Sequence, residues 1–342
     1  MNGSHNLQNI QFLRFIAAIL VVAQHAVYFS SLATDTPASK FLSWGFGDLG
    51  VFVFFVISGF VIAMQTDRKP AQFMLHRILR IYPGYIAAII FSTTVLVIFS
   101  GYRPSLTDTS MSIFLIPTGS LNVSFQVPYW TLIYEMFFYA LILMLMTVFR
   151  GHKNLIDSAV FLWLLVMIFQ TAQGVTFNVA MPTLAEIPLS PLNIYFIAGF
   201  FLSRILLSEK QGLALFALFL IAVSSIFIPA MKGPLSTCAL TIVAIIWAIK
   251  SAPLPKFLNN LGDYSYGIYL AHLPIIYCVY WAVKDTDTNI STSILWMVIA
   301  ALPIAILFGK IEHQLYRTKI RPGIDNFIGK RMMTNQPQSD VA

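Results

Sequence analysis

Long apolar segments recur along the whole 342-residue sequence. A membrane-spanning helix needs about 20 mostly apolar residues, because each residue adds about 1.5 Å to a helix that must cross about 30 Å of hydrocarbon. Ten segments fit this description: Leu7–Phe29, Leu49–Met64, Ile78–Ser100, Pro128–Phe149, Leu155–Gln170, Leu192–Leu207, Leu213–Ile228, Leu235–Ile249, Leu261–Val283 and Ser293–Gly309. The sequence therefore predicts an all-α polytopic membrane protein with about ten transmembrane helices.

The composition excludes several classes of protein. The chain is 58% hydrophobic and 10% charged, whereas an average soluble domain has roughly 45–50% and about 25%. A soluble enzyme, a nucleic-acid-binding protein and a disordered interaction protein are excluded on this ground. The connections between segments are too short for a soluble domain, so we expect one transmembrane domain over residues 1–332 and a short disordered tail over 333–342. Cys238 and Cys278 both lie in apolar segments, which predicts neither a disulfide framework nor a metal site.

The basic residues predict the topology. Of the 21 Lys and Arg residues, 16 fall in even-numbered loops, at the segment ends that border those loops, or after the tenth segment; four fall in odd-numbered loops, and Arg14 lies within a segment. Because cytoplasmic loops carry the excess of Lys and Arg, both termini are predicted to be cytoplasmic. The net charge of +7 then reflects topology and contact with anionic membrane lipid rather than nucleic-acid binding. In particular, the basic stretch from Lys310 to Arg331 is expected to lie along the inner leaflet.

Two ionisable residues share one face of the first segment. Arg14 and His25 are eleven residues apart, so they lie only about 20° apart around a helix and about 16 Å apart along its axis. A charge in the membrane interior costs several kcal/mol, which makes each such residue a candidate for function. The pair predicts a polar pathway through the membrane. The alternative is an Arg that reaches the interface and a His that bonds a neighbouring helix.

Three further charged residues are candidates for function: Arg77, Arg80 and Glu135. Arg77 and Arg80 are three residues apart at the start of the third segment, where two guanidinium groups on one helix face suit a phosphate, although they are also typical of a topological anchor. Glu135 lies two turns into the fourth segment and could act as an acid, a base or an acceptor for a sugar hydroxyl. Trp130 precedes it and either stacks on a sugar ring or belongs to an interfacial aromatic belt.

Four other positions are candidates for lining a substrate path: Asp48, Ser58, Tyr269 and His272. His272 is otherwise a core histidine, and Asp48 is otherwise a helix cap. For Ser58 and its neighbour Gly59, close helix packing is favoured over a catalytic serine.

The residues alone leave two classes of function open. One is a transferase that binds a phosphorylated donor at the arginine pair and uses a reactive histidine. The other is a proton-coupled transporter with Arg14, His25, Glu135 and His272 as a relay. The sequence contains no G-x-x-x-x-G-K-[ST], H-E-x-x-H or G-x-S-x-G motif that would indicate another chemistry.

Six short motifs in order resemble the membrane acyltransferase-3 family, whose members O-acylate surface and extracellular glycans of bacteria. They are LRFIAAILVVAQH, GVFVFFVISGF, HRILRIYP, WTLIYE, SYGIYLAH and IEHQLYR, and they extend from Leu13 to about Arg317. The resemblance implies a multi-pass protein of the bacterial inner membrane, in the stand-alone form that lacks an SGNH hydrolase-like domain.

The same resemblance implies the substrates and the site. The donor is acetyl-CoA or another acyl-CoA, used as a co-substrate with no bound cofactor or metal. The acceptor is a lipid-linked or surface polysaccharide, such as lipopolysaccharide O-antigen or exopolysaccharide. The predicted catalytic residues are His25, Arg14 and Glu135; Arg77 and Arg80 match the family's RxxR motif at the donor side; and the substrate path comprises Asp48, Ser58, Trp130, Tyr269 and His272. Glu312 is left out of the predicted site, because the family has Pro after this Glu and the chain has His313.

Overall fold

The computed structural model describes residues 8–37, 45–120, 124–125, 127–175, 177–207, 211–228 and 231–326. Within these residues twelve α-helices follow in chain order: α1 (Asn9–Ala33), α2 (Phe46–Ala63), α3 (Pro70–Ser100), α4 (Leu106–Ile113), α5 (Tyr129–Val148), α6 (Lys153–Ala172), α7 (Asn193–Leu207), α8 (Gly212–Phe227), α9 (Lys232–Lys250), α10 (Lys256–Asp263), α11 (Ser265–Val283) and α12 (Ile290–Leu315). A 3₁₀ turn (Ile187–Leu189) precedes α7, and a π-helical turn (Tyr316–Ile320) follows α12. The predicted tail over residues 333–342 lies outside the described residues.

Apolar helices overlap all ten predicted segments. Seven helical stretches are long and apolar enough to cross a membrane, and three shorter apolar helices overlap α7, α8 and α9. The predicted all-α polytopic class is therefore confirmed. The helices α4 and α10 are additional, short and more polar.

The ninth predicted segment, Leu261–Val283, is divided in the structure. Its first residues belong to α10, and α11 begins at Ser265 after Tyr264, whose φ of −86° and ψ of −8° separate the two helices. The sequence KFLNNLGD of α10 is apolar on one side only, which is typical of a helix at an interface.

Two helices extend beyond their predicted segments. The α3 helix begins at Pro70, in the first position, where proline is best tolerated, eight residues before the predicted start at Ile78. The helical stretch that begins with α12 continues to Asn326 instead of ending at Gly309. Residues 310–326, part of the basic stretch predicted to lie along the inner leaflet, are therefore helical and continuous with α12.

Glycines allow the helices around the site to approach closely. A Cβ atom on Gly59 of α2 would lie 2.0 Å from the backbone oxygen of Phe196, and one on Gly199 of α7 would lie 1.9 Å from that of Val56. Small residues of this kind let two helix backbones touch in a membrane protein. The α2 helix is therefore held against α7, while Ser58 on an adjacent face reaches Glu135 of α5.

The first helix occupies the middle of the fold. It packs against α2, α10, α11 and α12, and α11 also packs against α3. The helices α1, α2, α3, α5 and α11 therefore enclose a common interior, which contains the ionisable residues described next.

Candidate active site

Two large cavities enter the fold from opposite ends of the same helices. The first, here the basic cavity, has a volume of about 720 Å³. Its polar walls are Gln11, Arg14, Ser58, Gln65, Arg68, Gln72, His76, Arg77, Arg80, Glu135, Arg321 and Asp325, with Tyr139, Tyr266 and Tyr316. The two α1 residues in these walls, Gln11 and Arg14, lie near the N-terminal end of that helix.

The second, here the aromatic cavity, has a volume of about 710 Å³. Its walls include the polar residues Gln24, His25 and Asp48 and the aromatic residues Tyr28, Phe29, Tyr102, Phe125, Trp130, Tyr269 and Tyr277. On α1, this cavity extends from Val21 to Leu32, at the opposite end from Arg14. Arg14 and His25, which share one face of α1, thus lie one in each cavity.

A narrow space of about 30 Å³, here the constriction, lies between the two cavities. Its walls share Arg14, Ser58, Glu135 and Tyr266 with the basic cavity. They share Val51 and Tyr269 with the aromatic cavity. The constriction is far smaller than either cavity, so the two cavities adjoin each other through a narrow space.

Glu135 is the acceptor for two hydroxyl groups beside the constriction. Ser58 donates to its Oε1 atom at 3.2 Å, and the Tyr139 hydroxyl donates to the same oxygen. Arg14 donates to Gln11 at 3.3 Å, and the described residues give it no ion pair. The guanidinium of Arg14 and the carboxylate of Glu135 therefore border one small space as opposite charges without direct contact.

Arg80 contacts three neighbouring side chains. Its guanidinium forms an ion pair with Glu312 and lies 4.9 Å from the ring centroids of both Tyr266 and Tyr316. A cation between two aromatic faces is stabilised by both ring quadrupoles. Glu312 is 8% exposed, so its charge is compensated by an arginine on the cavity wall.

Arg77 has free hydrogen-bonding capacity. Its guanidinium lies 5.3 Å from the ring centroid of Tyr139 and 5.9 Å from that of Phe73. Its Nε atom is buried and has no hydrogen-bond partner among the described residues. Buried donors are nearly always satisfied, so this atom is available to a ligand in the basic cavity.

His25 and His272 form a direct pair. The Nε2 atom of His272 lies 3.1 Å from Nδ1 of His25, and the two ring centroids are 5.0 Å apart. His272 is fully buried, whereas His25 is half-buried and borders the aromatic cavity. His25 is therefore the member of the pair that can meet a substrate.

The backbone fixes the protonation form of both rings. Nδ1 of His272 lies 3.3 Å from the Ile268 oxygen, and Nδ1 of His25 lies 3.0 Å from the Val21 oxygen. A carbonyl oxygen only accepts, so each Nδ1 carries the hydrogen in the neutral ring. The single Nδ1–H of His25 is then shared between the Val21 oxygen and Nε2 of His272, and Nε2 of His25 is left with a lone pair. This geometry makes His25 suitable as a general base.

The remaining predicted residues line the aromatic cavity or the constriction. Asp48 is exposed in the first turn of α2, and Trp130 stands at the beginning of α5. The Tyr269 hydroxyl is 2.8 Å from that of Thr131, which positions its ring 6.0 Å from that of His272. The predicted residues thus lie along one interior path, although Arg77 and Arg80 lie at the opposite end from His25.

Glu312 is the residue that the sequence analysis left out. It pairs with Arg80 and also contacts the position of Gly84, where an added Cβ would lie 3.0 Å from its Cγ atom. Its position in the helix could have indicated that Glu312 faces the interior, because Glu312 lies three residues past Gly309, one turn further along the same helix. Among the described residues, no group of three or more His, Cys, Asp or Glu residues could hold a metal ion.

Comparison with known proteins found a matching family model and a related protein. The model of a family described as an acyltransferase domain, Acyl_transf_3, matches residues 7–310. The chain is 30% identical over 253 residues to the exopolysaccharide production protein ExoZ of Rhizobium meliloti (strain 1021), an alignment that covers 66% of this chain and 75% of that protein. No solved structure matches.

Proposed function

Because this chain belongs to the membrane acyltransferase-3 family, we propose that it moves an acyl group, acetyl in the first instance, from acyl-CoA in the basic cavity to a sugar hydroxyl in the aromatic cavity. The observation that carries the proposal is the arrangement of the two cavities. They have opposite chemical character, they meet at one constriction, and Arg14 and His25 of a single helix lie one in each.

The charge of the basic cavity supports an acyl-CoA donor. Its walls carry five arginines, namely Arg14, Arg68, Arg77, Arg80 and Arg321, and two acidic residues, Glu135 and Asp325. Arginine binds phosphate oxygens in a two-pronged geometry. A donor with several phosphate groups therefore suits this cavity better than a neutral or cationic one.

The walls of the aromatic cavity support a carbohydrate acceptor. Trp130 and the tyrosines offer flat apolar faces to a sugar ring, and Asp48 and Gln24 offer polar groups to its hydroxyls. The relative ExoZ is described as an exopolysaccharide production protein. An exopolysaccharide is accordingly the first acceptor to test, and a lipopolysaccharide O-antigen is the second.

His25 performs the proton transfer in this proposal. Its bare Nε2 atom takes the proton of the sugar hydroxyl as the hydroxyl oxygen attacks the thioester carbonyl. The carbon–sulfur bond then breaks, the acyl group remains on the sugar as an ester, and the departing CoA thiolate takes the proton from His25. Arg14 attracts the anionic donor toward the constriction, and Glu135 orients Ser58 and Tyr139 around it.

The experiment uses purified protein in liposomes with radiolabelled acetyl-CoA and a lipid-linked glycan acceptor. We expect label to reach the glycan, and His25→Ala to slow this transfer by roughly 10²–10⁴-fold, as loss of a general base does. His152→Ala is the matched control, because His152 is exposed at the start of α6 and lines neither cavity.

Two results would contradict the proposal. One is a wild-type protein that never labels the glycan; the other is a His25→Ala variant that labels it as fast as the wild type. A proton-coupled transporter would instead show substrate flux that follows the proton gradient and would consume no acetyl-CoA.

A further inference from the structure

Two arginines at the mouth of the basic cavity are not part of the RxxR pair. Arg68 lies five residues beyond the end of α2, and Arg321 follows the π-helical turn after α12. Both are exposed and both line the basic cavity. Two separate parts of the chain thus bring one guanidinium each to the same opening.

Nearby acidic residues leave both arginines uncompensated. Asp67, next to Arg68 in sequence, pairs with Lys153 at 2.7 Å, and Asp325, one turn beyond Arg321, lies 3.6 Å from His76. In the described part of the chain neither Arg68 nor Arg321 has an ion pair. Both nevertheless lie close enough to His76, which lines the same cavity, for their charges to act on its ring, as do the charges of Arg77 and Asp325.

The deeper arginines differ in this respect. Arg80 is compensated by Glu312 and enclosed by two tyrosines, and Arg14 borders the constriction. Arg77, with its unpartnered Nε atom, lies deep in the cavity and has a donor left for an anion, whereas Arg14, which also has no ion pair among the described residues, borders the constriction. Between the constriction and the surface, the cavity therefore offers Arg77 inside and Arg68 and Arg321 at its mouth.

We infer that Arg68 and Arg321 form a second anion site that binds the phosphate monoester on the ribose of acyl-CoA. This inference rests on the proposed function, and it follows from the length of the donor. When the thioester lies at the constriction, beside Ser58 and Glu135, the opposite end of the donor lies at the mouth. That end carries a phosphate monoester with about two negative charges near neutral pH, and two arginines match that charge.

The site gives the protein a means of distinguishing CoA from shorter relatives. The diphosphate of CoA, which lies between the thiol and the nucleotide, falls beside Arg77. A donor that lacks the ribose phosphate keeps this inner contact and loses the outer one. The structure thus assigns general donor binding to Arg77 and selectivity for the 3′-phosphate to Arg68 and Arg321.

The test compares binding of CoA and 3′-dephospho-CoA by calorimetry, with purified full-length protein in nanodiscs of zwitterionic lipid. Hydrogen bonds to charged groups predict that the wild type binds CoA roughly ten to a hundred times more tightly. Arg68→Ala and Arg321→Ala should each lower that ratio, and the double variant should bring it to about one. Binding of 3′-dephospho-CoA should stay unchanged in all three variants.

Arg317→Ala is the matched control. Arg317 is exposed on the same helical extension as Arg321 but lines a different groove, beside Asp263 and His313. We expect this variant to keep the wild-type ratio. A ratio that falls as far in Arg317→Ala as in Arg321→Ala would show a diffuse charge effect and would overturn the inference.

Other outcomes also decide the matter. If the wild type binds both ligands equally, or the double variant keeps the preference, the arginines do not recognise the ribose phosphate, while the proposed function stands. If the arginines bind phosphate of lipid headgroups instead, the wild type will show no preference in zwitterionic nanodiscs and Arg68→Ala will weaken retention of anionic lipid. If neither CoA nor 3′-dephospho-CoA binds, the proposed donor itself is wrong.

Discussion

The hydrogen bond from Nδ1 of His25 to Nε2 of His272 has a consequence for catalysis. When His25 takes up a proton, its ring becomes a cation, and the same Nδ1–H then donates a charge-assisted bond to a neutral acceptor. Such bonds are stronger than neutral ones. In the proposed mechanism His272 is therefore a positioning residue, which holds the His25 ring and stabilises its cation.

This role predicts different results for two substitutions of similar volume. His272→Gln can present an amide oxygen as acceptor and should retain most of the acyl transfer rate. His272→Leu fills the space without an acceptor and should lower the rate constant kcat by roughly tenfold or more, with little change in KM for acetyl-CoA. Steady-state kinetics of both variants, after matched thermal unfolding curves, will measure the difference. Equal rates would show that His272 only fills space.

At the scale of single residues, the sequence indicates which residues are candidates for the site but not which residues they contact. The spacing of Arg14 and His25 follows from helix geometry alone, and their placement along one path did not require a structure. The contact between His25 and His272 joins positions 247 residues apart, and no local pattern encodes it. Glu312 is left out of the predicted site because His313 follows it where the family has Pro, and its pairing with Arg80, 232 residues away, is not encoded in any local pattern.

At the scale of helices, the crossing of α2 and α7 is the most demanding contact. Each of the glycines Gly59 and Gly199 lies against backbone of the other helix, so a methyl group has no flexible neighbour to displace. Gly59→Ala should force the helices apart and lower the free energy of unfolding by about 1–3 kcal/mol or more. It should also reduce acyl transfer, because Ser58 would move with α2. Thermal unfolding in detergent provides the measurement.

Gly212→Ala is the control for this prediction. Gly212 begins α8, and an added Cβ there would meet no atom within 4 Å. Alanine is the better helix former, so this variant should be as stable as the wild type or slightly more stable. If Gly59→Ala unfolds at the temperature of Gly212→Ala, the crossing contributes little to stability.

The ten apolar helices were predictable because burial in lipid requires long apolar segments. The ends of the helices were less predictable. Hydropathy cannot detect the polar first turns of α3, which carry Gln72 and His76 to the basic cavity, or the separation of α10 from α11 at Tyr264. Both features depend on contacts with other helices rather than on the local sequence.

The distribution of Lys and Arg predicts the orientation of the whole molecule in the membrane, and this prediction can be tested. With 16 basic residues predicted on one side and four on the other, a reporter that is active only outside the cytoplasm should be inactive when fused after Met332. The same reporter inserted between residues 104 and 105, in the connection that precedes α4, should be active. The reverse pattern would place the basic cavity on the wrong side for a cytosolic donor.

The constriction between the two cavities also matters for the electrical state of the membrane. Moving one elementary charge across 100 mV is worth about 2.3 kcal/mol, so an open aqueous channel of this width would short-circuit the potential that a living cell maintains. In the proposed orientation, the constriction of about 30 Å³ is the narrow part of the route between the two cavities, and the guanidinium of Arg14 on its wall opposes the entry of cations. An acyltransferase built in this way would bind substrates from both sides of the membrane while limiting the leak of ions through itself.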